Sequence, residues 1–158
     1  MDRAGPSDAP LHDDDPLHDF AVQVAEAAGA VVTTWQQATR TLSPRLSSLQ
    51  LEALLIVRRC PGINLTGLAE GVGATAPAVS RLCDRLEAAG LLRRERAPTS
   101  RREIVLVLTP HGRELVESLF ARRHALFGDV LRRMPAADRT ALLTGLLAFS
   151  KASDDDGG

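Results

Sequence analysis

The sequence contains no tyrosine, one tryptophan and four phenylalanines, so aromatic residues make up only 3% of its 158 residues. Hydrophobic residues nevertheless reach 44%, and the core must therefore be built from leucine, valine and alanine, a composition that favours helices. The two cysteines, Cys60 and Cys83, are too few for a disulfide framework. These absences predict a mainly helical protein whose core depends on neither ring stacking nor disulfides.

Long apolar segments and targeting signals are also absent. No stretch approaches the roughly 18 consecutive apolar residues of a membrane span, and the N-terminal residues are acidic and proline-rich rather than apolar. We therefore expect a cytoplasmic protein. The sequence also lacks a nucleophile–base pairing, a phosphate-binding glycine loop and metal-ligand spacing, which argues against an enzyme and predicts no metal or cofactor.

The net charge of −1 conceals an uneven distribution of charge along the chain. Residues 1–19 carry six aspartates against Arg3, and residues 152–158 add three more aspartates. The body between these tails has 18 basic and 11 acidic residues, a net charge of +7. Codon bias is the better explanation of the preference for arginine over lysine, so only the charge of the body indicates an anionic partner.

Apolar residues at helical spacing predict six helices and, between the fourth and the fifth, two strands. The predicted helices lie at about 17–40, 48–60, 64–72, 75–90, 110–133 and 136–151, and the strands at 91–96 and 103–109. Ser47 or Ser48, Asn64, Thr75 and Thr109 are candidate N-caps. Gly90 is expected to end the fourth helix in the left-handed conformation.

This order predicts a fold class that is mainly α with a small β-hairpin wing: a winged helix-turn-helix domain flanked by N- and C-terminal dimerisation helices. The first and last helices carry apolar stripes too wide for one small winged domain to cover, which indicates a homodimer. We place a single domain at 17–151, with the winged helix-turn-helix at 47–109, dimerisation helices at 17–42 and 110–151, and disordered acidic tails at 1–16 and 152–158.

The fourth predicted helix has one apolar face, which leaves its other face to solvent. The apolar residues are Val79, Leu82, Cys83 and Leu86. In a winged helix-turn-helix the outer face enters the major groove of DNA. The candidate DNA-binding residues on and beside this helix are Asn64, Thr75, Ala76, Pro77, Ala78, Ser80, Arg81 and Arg85. Arg81 best suits a forked contact to guanine, and the alternative for it is an ion pair with Asp84 or Glu87.

The predicted hairpin is rich in arginine. Ser100, Arg101 and Arg102 at its tip suit the minor groove, whose negative potential attracts arginine. On the first strand Arg94 and Arg96 share one face, and both are candidate DNA-binding residues. The alternative is that the strand arginines form a solvated edge that prevents aggregation. The cap, the proline, the glycine stop and the basic tip occur in the order that one DNA-binding architecture requires, which favours the first interpretation.

Residues 65–112 resemble the MarR family of bacterial transcriptional regulators. The motifs that carry the resemblance are Leu68-Ala69, Val79-Ser80-Arg81-Leu82, Leu86-Glu87, Gly90-Leu91, Ser100-Arg101-Arg102, Leu108-Thr109 and Gly112. Weaker agreement extends it to roughly residues 20–150. The chain departs from the family at Ser100, where the family has aspartate, and at Ala76, where it has a polar or basic residue. Without that aspartate the wing is looser, or is braced by Glu95 or Glu103.

The resemblance implies a homodimer that binds double-stranded DNA sequence-specifically at a pseudo-palindromic operator. It implies a repressor, released by a small-molecule effector or an oxidant, with its two recognition helices about 34 Å apart. The departures at Ser100 and Ala76, together with the acidic tails, keep a second hypothesis open. In that hypothesis the chain is a winged-helix protein-interaction module that has lost DNA binding.

The resemblance also implies a ligand pocket where the dimerisation helices meet the DNA-binding domain. The candidate residues in that region are Trp35, Arg40, Arg45, Phe120 and Phe127. The alternative for Trp35 is the core or a dimer interface, where a tryptophan on an apolar helical stripe more often lies. Cys60 and Cys83 are the candidates for oxidant sensing, and inert packing is the alternative for both.

Overall fold

A computed structural model of the protein describes residues 16–97 and 100–155. Within these residues the helices are α1 (Pro16–Gln37), α2 (Ser48–Arg59), α3 (Leu65–Val72), α4 (Ala76–Ala88), α5 (Pro110–Leu131) and α6 (Ala136–Asp155), and a short 3₁₀ helix (Ala38–Thr41) follows α1. Strands β1 (Leu92–Ala97) and β2 (Ser100–Leu108) lie between α4 and α5. This architecture confirms the predicted fold class.

The hairpin packs beside the three short helices α2, α3 and α4 and forms the wing. Its strands are antiparallel, with Leu92 opposite Leu108 and Arg94 opposite Leu106. The backbone N–H of Leu106 also donates to the carbonyl oxygen of Ile63 at 2.8 Å. The base of the wing is therefore hydrogen-bonded to the loop that leads into α3.

One hydrophobic core joins the short helices to the wing and to α5. Leu54 of α2, Leu68 of α3, Leu86 of α4 and Leu119 of α5 are all fully buried in it. Burying a leucine side chain contributes roughly 1.5–3 kcal/mol relative to leaving it exposed. These apolar contacts hold the inner face of α4 against the domain, so its outer face is directed to solvent.

Side-chain caps fix where two of the short helices begin. The Ser47 hydroxyl accepts from the N–H of Gln50 at 3.2 Å, and the Gln50 side chain accepts from the N–H of Ser47 at 2.9 Å. This reciprocal capping box selects Ser47 as the N-cap of α2. Asn64 caps α3 as predicted, since its Oδ1 accepts from the N–H of Gly67 at 2.9 Å.

Thr75 occupies the predicted N-cap position of α4, but its side chain makes no capping hydrogen bond. An N-cap side chain accepts from the second or third backbone N–H of its helix. Because Pro77 is the second residue of α4, one of those two donors is missing. The expectation of a side-chain cap at Thr75 is therefore wrong, and its hydroxyl is exposed.

The end of α4 and the start of α5 meet at two glycines. Gly90 ends α4 with a φ of +70°, in the predicted left-handed conformation. Thr109 caps α5 by accepting from the N–H of Gly112 at 2.9 Å, and its hydroxyl donates to the carbonyl of Gly90 at 2.6 Å. A Cβ on Gly112 would overlap the carbonyl oxygen of Leu91. Only glycine at this position lets α5 approach the wing so closely.

Helices α1 and α6 bury little against the rest of the chain. In the described residues of both helices no side chain is fully buried. Large apolar side chains are exposed instead: Leu17, Phe20, Val24, Val32 and Trp35 on α1, and Leu143, Leu146, Leu147 and Phe149 on α6. Apolar helices of this kind are unstable alone in water, which indicates that another surface covers them.

Helix α6 is longer than the sequence predicted. It continues to Asp155, whereas residues 152–158 were expected to form a disordered tail. Ala152, a strong helix former, continues it, and the Ser153 hydroxyl donates to the Phe149 carbonyl at 3.0 Å. Most of the predicted N-terminal tail, residues 1–15, and residues 156–158 lie outside the described part of the chain. No helix that the structure describes combines the length and hydropathy of a membrane span.

Candidate nucleic-acid interface

Helix α4 has distinct inner and outer faces. On the inner face Val79, Leu82, Cys83 and Leu86 are buried. On the outer face Thr75, Ala76, Pro77, Arg81 and Arg85 are exposed, and Ala78 and Ser80 are half-buried. The helix is thus anchored by its apolar residues and presents its polar and small residues to a partner.

Arg81 is exposed, and its guanidinium has no ion-pair or hydrogen-bond partner among the described residues. The alternative in which it pairs with Asp84 or Glu87 is not observed, because both carboxylates bind Arg94. Arg85 is also exposed and unpartnered within the same residues. Two arginines therefore project from α4 without a counter-charge among these residues.

Arg94 of β1 is directed toward α4. Its Nη2 donates to Oδ1 of Asp84 at 2.9 Å and to the carbonyl oxygen of Ser80 at 3.4 Å, while its Nη1 pairs with the carboxylate of Glu87. Its backbone N–H also donates to Oε1 of Glu87 at 3.0 Å. Partial burial opposes the charged form, but the hydrogen bond to Asp84 and the charge of Glu87 leave the pKa of Arg94 above its ordinary value. Arg94 therefore directs its donors into the protein.

The other arginines of β1 have different surroundings. Arg93 pairs with Glu95 on the same face of the strand, with 2.5 Å between Nε and Oε1. Arg96 is exposed and has no partner in the part of the chain that the structure describes. The side chains of residues 100–102 at the wing tip lie outside the described residues, so their predicted DNA contacts stay a prediction.

Asn64 and the two candidate bracing acids have partners within the fold. The cap residue Asn64 uses its Oδ1 for Gly67, and its Nδ2 donates to Oε1 of Glu103 on β2 at 3.4 Å. Glu95 holds Arg93 on β1. Both glutamates lie on the strands of the wing, and each holds a neighbouring polar side chain. The two hydrogen bonds of Asn64 favour a structural role for that residue. Its predicted contact with DNA is untested.

Arg81, Arg85 and Arg96, with Thr75 and Ala76 at the start of α4, form what we call the α4–wing surface. Arg96 shares a face of β1 with Arg94, which contacts α4, so the strand and the helix contribute to one region. An arginine fork binds phosphate and guanine through parallel hydrogen bonds. This surface is chemically suited to nucleic acid.

A separate open cavity lies beside α1, the 3₁₀ helix and α2, with α5 contributing one side chain. Its volume is about 500 Å³, and it is lined by Trp35, Gln36, Thr39, Arg40, Ser48, Leu51, Glu52, Leu55 and Arg123. Trp35 and Arg40 were predicted from the sequence as ligand-binding residues. The structure therefore brings these two candidates to one cavity wall.

The other three predicted ligand-binding residues do not line this cavity. Phe127 packs edge-to-face against Trp35, with ring centroids 6.3 Å apart. The guanidinium of Arg58 lies 4.5 Å from the ring centroid of Phe120. Arg45 is exposed in the loop before α2. Sequence order placed these residues in the right region but could not show which side chains face the cavity.

Arg123 of α5, which the sequence patterns did not indicate as a site residue, is only 4% exposed. Its guanidinium stacks on Trp35, 3.6 Å from the ring centroid, and its buried Nε has no hydrogen-bond partner among the described residues. Burial lowers the pKa of Arg123. The available signal was its position four residues after Leu119, where the apolar stripe of α5 calls for an apolar residue.

The two cysteines differ in accessibility. Cys83 is fully buried, and burial raises the pKa of its thiol despite the opposing influence of Arg94. Because the thiolate is the reactive form, this environment favours packing over oxidant sensing at Cys83. Cys60 at the end of α2 is exposed.

Within residues 16–97 and 100–155, no group of three or more His, Cys, Asp or Glu residues is placed to hold a metal ion.

The chain is similar in sequence to bacterial transcriptional regulators and in fold to several solved structures. Residues 46–104 match the model of the MarR family. The chain is 24% identical over 110 residues to YfiV of Bacillus subtilis, an uncharacterized HTH-type transcriptional regulator, covering 70% of this chain and 69% of YfiV. The crystal structure of RV1404 from Mycobacterium tuberculosis matches with a TM-score of 0.81 and 28% identity, covering 90% of this chain and 98% of RV1404. A MarR-like transcriptional regulator from Thermotoga maritima has a TM-score of 0.70 at 23% identity, over 85% and 96% of the two chains, which shows the shared fold alone.

Proposed function

Because this chain belongs to the MarR family of transcriptional regulators, we propose that it binds a pseudo-palindromic operator as a homodimer and represses transcription. Each protomer inserts the outer face of α4 into the major groove and places its wing at the adjacent minor groove. The observation that carries this proposal is the unpaired charge on the α4–wing surface. Arg81, Arg85 and Arg96 are exposed and have no counter-charge among the described residues.

The start of α4 supports the assignment of this helix as the recognition helix. Thr75 and Ala76 are exposed, and their small side chains let the backbone approach the base edges. The free N–H groups at a helix N-terminus also favour a phosphate. Arg81, about one and a half turns further along, is then placed to donate a forked pair of hydrogen bonds to guanine.

The exposed apolar side chains of α1 and α6 support the homodimer. Two chains that cover these helices with each other would hold two copies of α4 about 34 Å apart, one turn of the duplex. In this arrangement residues 17–42 and 110–151 supply the dimer interface. A dimer bound over successive turns of a promoter blocks access to it, which is the basis for proposing repression.

Selection of duplexes from a random pool, followed by mobility-shift titration, tests the proposed function. We expect enrichment of an inverted repeat with half-sites about one helical turn apart. The logarithm of the binding constant should fall linearly with the logarithm of salt concentration, by about 0.9 for each neutralised phosphate. No enrichment, and no shift at low salt, would contradict DNA binding and favour the protein-interaction module.

Substitutions in this assay separate base contacts from phosphate contacts. Arg81→Ala should reduce discrimination between the operator and single-base variants by about 1–3 kcal/mol, because a forked base contact is lost. Arg101→Ala and Arg102→Ala should weaken binding to all duplexes alike and make the salt dependence shallower. An equal loss across sequences for all three variants would show that these roles are wrongly assigned.

We further propose that the cavity beside Trp35 and Arg40 binds a small-molecule effector that controls DNA binding. Arg123 supports an anionic effector, because this buried guanidinium has no ion-pair partner among the described residues, and a counter-charge from a ligand would offset its desolvation penalty. The neighbouring ring of Trp35 favours a planar molecule.

Trp35 is the only tryptophan, so its fluorescence reports directly on this cavity. Titration with benzoate as a probe should change the emission of the wild-type protein saturably, and Arg123→Leu should abolish the saturable change by removing the cation. Arg58→Leu is the matched control, because Arg58 does not line the cavity. A response in Arg123→Leu equal to that of the wild type would contradict the site.

A further inference from the structure

Arg94 connects the wing to one edge of the recognition helix. Through its side chain and its backbone N–H it contacts Ser80, Asp84 and Glu87. These three residues are spaced four and three apart, so they follow one another along a single side of α4. The contacts therefore extend along about two turns of the helix rather than joining one point.

The charge of this cluster is unsuited to a phosphate contact by Arg94. One guanidinium faces the two carboxylates of Asp84 and Glu87, so the group carries a net charge of −1. The terminal nitrogens of Arg94 already donate to protein oxygens, and only 30% of its side chain is exposed. A phosphate bound to Arg94 would have to displace one of these two carboxylates and would then lie close to the other.

The cluster also lies between the positions that reach DNA in the proposed function. Ser80, whose carbonyl accepts from Arg94, directly precedes Arg81 on α4. Arg96 follows Arg94 by two residues on the same face of β1. Apolar contacts hold the helix against the core but leave it some freedom to rotate, whereas charge-assisted hydrogen bonds are directional.

We propose that Arg94 is a positioning residue. It fixes the orientation of α4 relative to the wing through Asp84 and Glu87, so that Arg81 and Arg96 engage one duplex at the same time. This role replaces the DNA contact that strand alternation predicts for Arg94, and it rests on the proposed DNA-binding function. A preorganised surface binds more tightly because less conformational freedom is lost on binding.

The effect of Glu87→Met on operator affinity distinguishes positioning from direct contact. If Arg94 positions α4, Arg94→Met and Glu87→Met should each weaken operator binding roughly tenfold, as loss of a charged hydrogen bond does, without changing the salt dependence. Arg96→Met is the matched control and should make the salt slope shallower by about 0.9. If Arg94 binds phosphate instead, Glu87→Met should strengthen binding and Arg94→Met should lower the salt slope; either result overturns the proposal.

Amide hydrogen exchange without DNA tests the same role separately from DNA binding. Arg94→Met and Glu87→Met should increase exchange in α4 and β1 by roughly tenfold, because local opening no longer breaks the ion pairs. Arg96→Met should leave exchange unchanged. Unchanged exchange in the first two variants overturns the positioning role even if the operator assays confirm DNA binding. A failure to bind any duplex, with altered exchange, would instead refute the proposed function alone.

Discussion

Replacing Leu143 and Leu147 together by arginine should convert the proposed dimer into a monomer. Both side chains are exposed on α6, by 59% and 63%, and lie one turn apart on one side of the helix. If a second chain covers them, each substitution buries a charge without a partner, which an interface of this kind does not tolerate. Sedimentation equilibrium measures the outcome as a change from the mass of two chains to that of one.

The same double substitution should lower operator affinity by between about 100-fold and 10,000-fold. A dimer binds its second half-site as an intramolecular step, whereas a monomer gains no such advantage. Ala152→Arg is the control, because this exposed residue lies on the opposite side of α6 and should leave mass and affinity unchanged. A double variant that stays dimeric would show that α6 does not form the interface.

Gly112→Ala should lower the free energy of unfolding by about 1–3 kcal/mol, at the upper end of that range. The added methyl group would overlap the carbonyl oxygen of Leu91, which belongs to the backbone and cannot rotate away. To make room, α5 must move from the base of the wing, and this also loosens the hydrogen bonds of Thr109. The urea midpoint, measured at one protein concentration because a dimer unfolds in a concentration-dependent way, gives the change.

The same substitution elsewhere in α5 provides the control. The nearest heavy atom to a Cβ on Gly128 is Nη1 of Arg132, at 3.5 Å, an ordinary contact with a flexible side chain. Gly128→Ala should therefore be neutral or raise stability by up to about 1 kcal/mol through helix propensity. Equal midpoints for the two alanine variants would show that the Leu91 carbonyl is no obstacle.

The elements that could be predicted from the sequence are those specified by nearby residues. The inner face of α4, the left-handed Gly90 and the cap at Thr109 each depend on contacts within a few positions. The missing side-chain cap at Thr75 was also locally determined, since Pro77 removes a donor. Predicting it requires counting the backbone N–H donors in the first turn of α4, because the strong N-cap preference of threonine alone predicts a cap.

The role of Arg94 could not be predicted because it depends on how β1 packs against α4. Alternation correctly places Arg94 and Arg96 on one face of the strand, but not which of them meets the helix. Asp84 and Glu87 lie ten and seven residues earlier, beyond the range of any turn or helix rule. The hydrophobic core sets the separation of the two elements, and the ion pairs form in consequence.

Arg123 was missed for a related reason. A charged residue in an apolar stripe has several outcomes, including snorkelling to the surface, and only the fold shows that this one stacks on Trp35 from another helix. Trp35 lines the candidate cavity, whereas Phe127, which packs edge-to-face against Trp35, does not. The order of the elements in the sequence indicated where the cavity lies, but only the packing of the side chains determines which of them line it.

The hydroxyl group of Thr109 makes hydrogen bonds both at the end of α4 and at the start of α5. It accepts a hydrogen bond from the N–H of Gly112 in the first turn of α5, and it donates one to the carbonyl of Gly90, where α4 ends. We therefore expect a tilt of α5 to displace the end of α4 as well, through this hydroxyl group and the Leu91–Gly112 contact beside it.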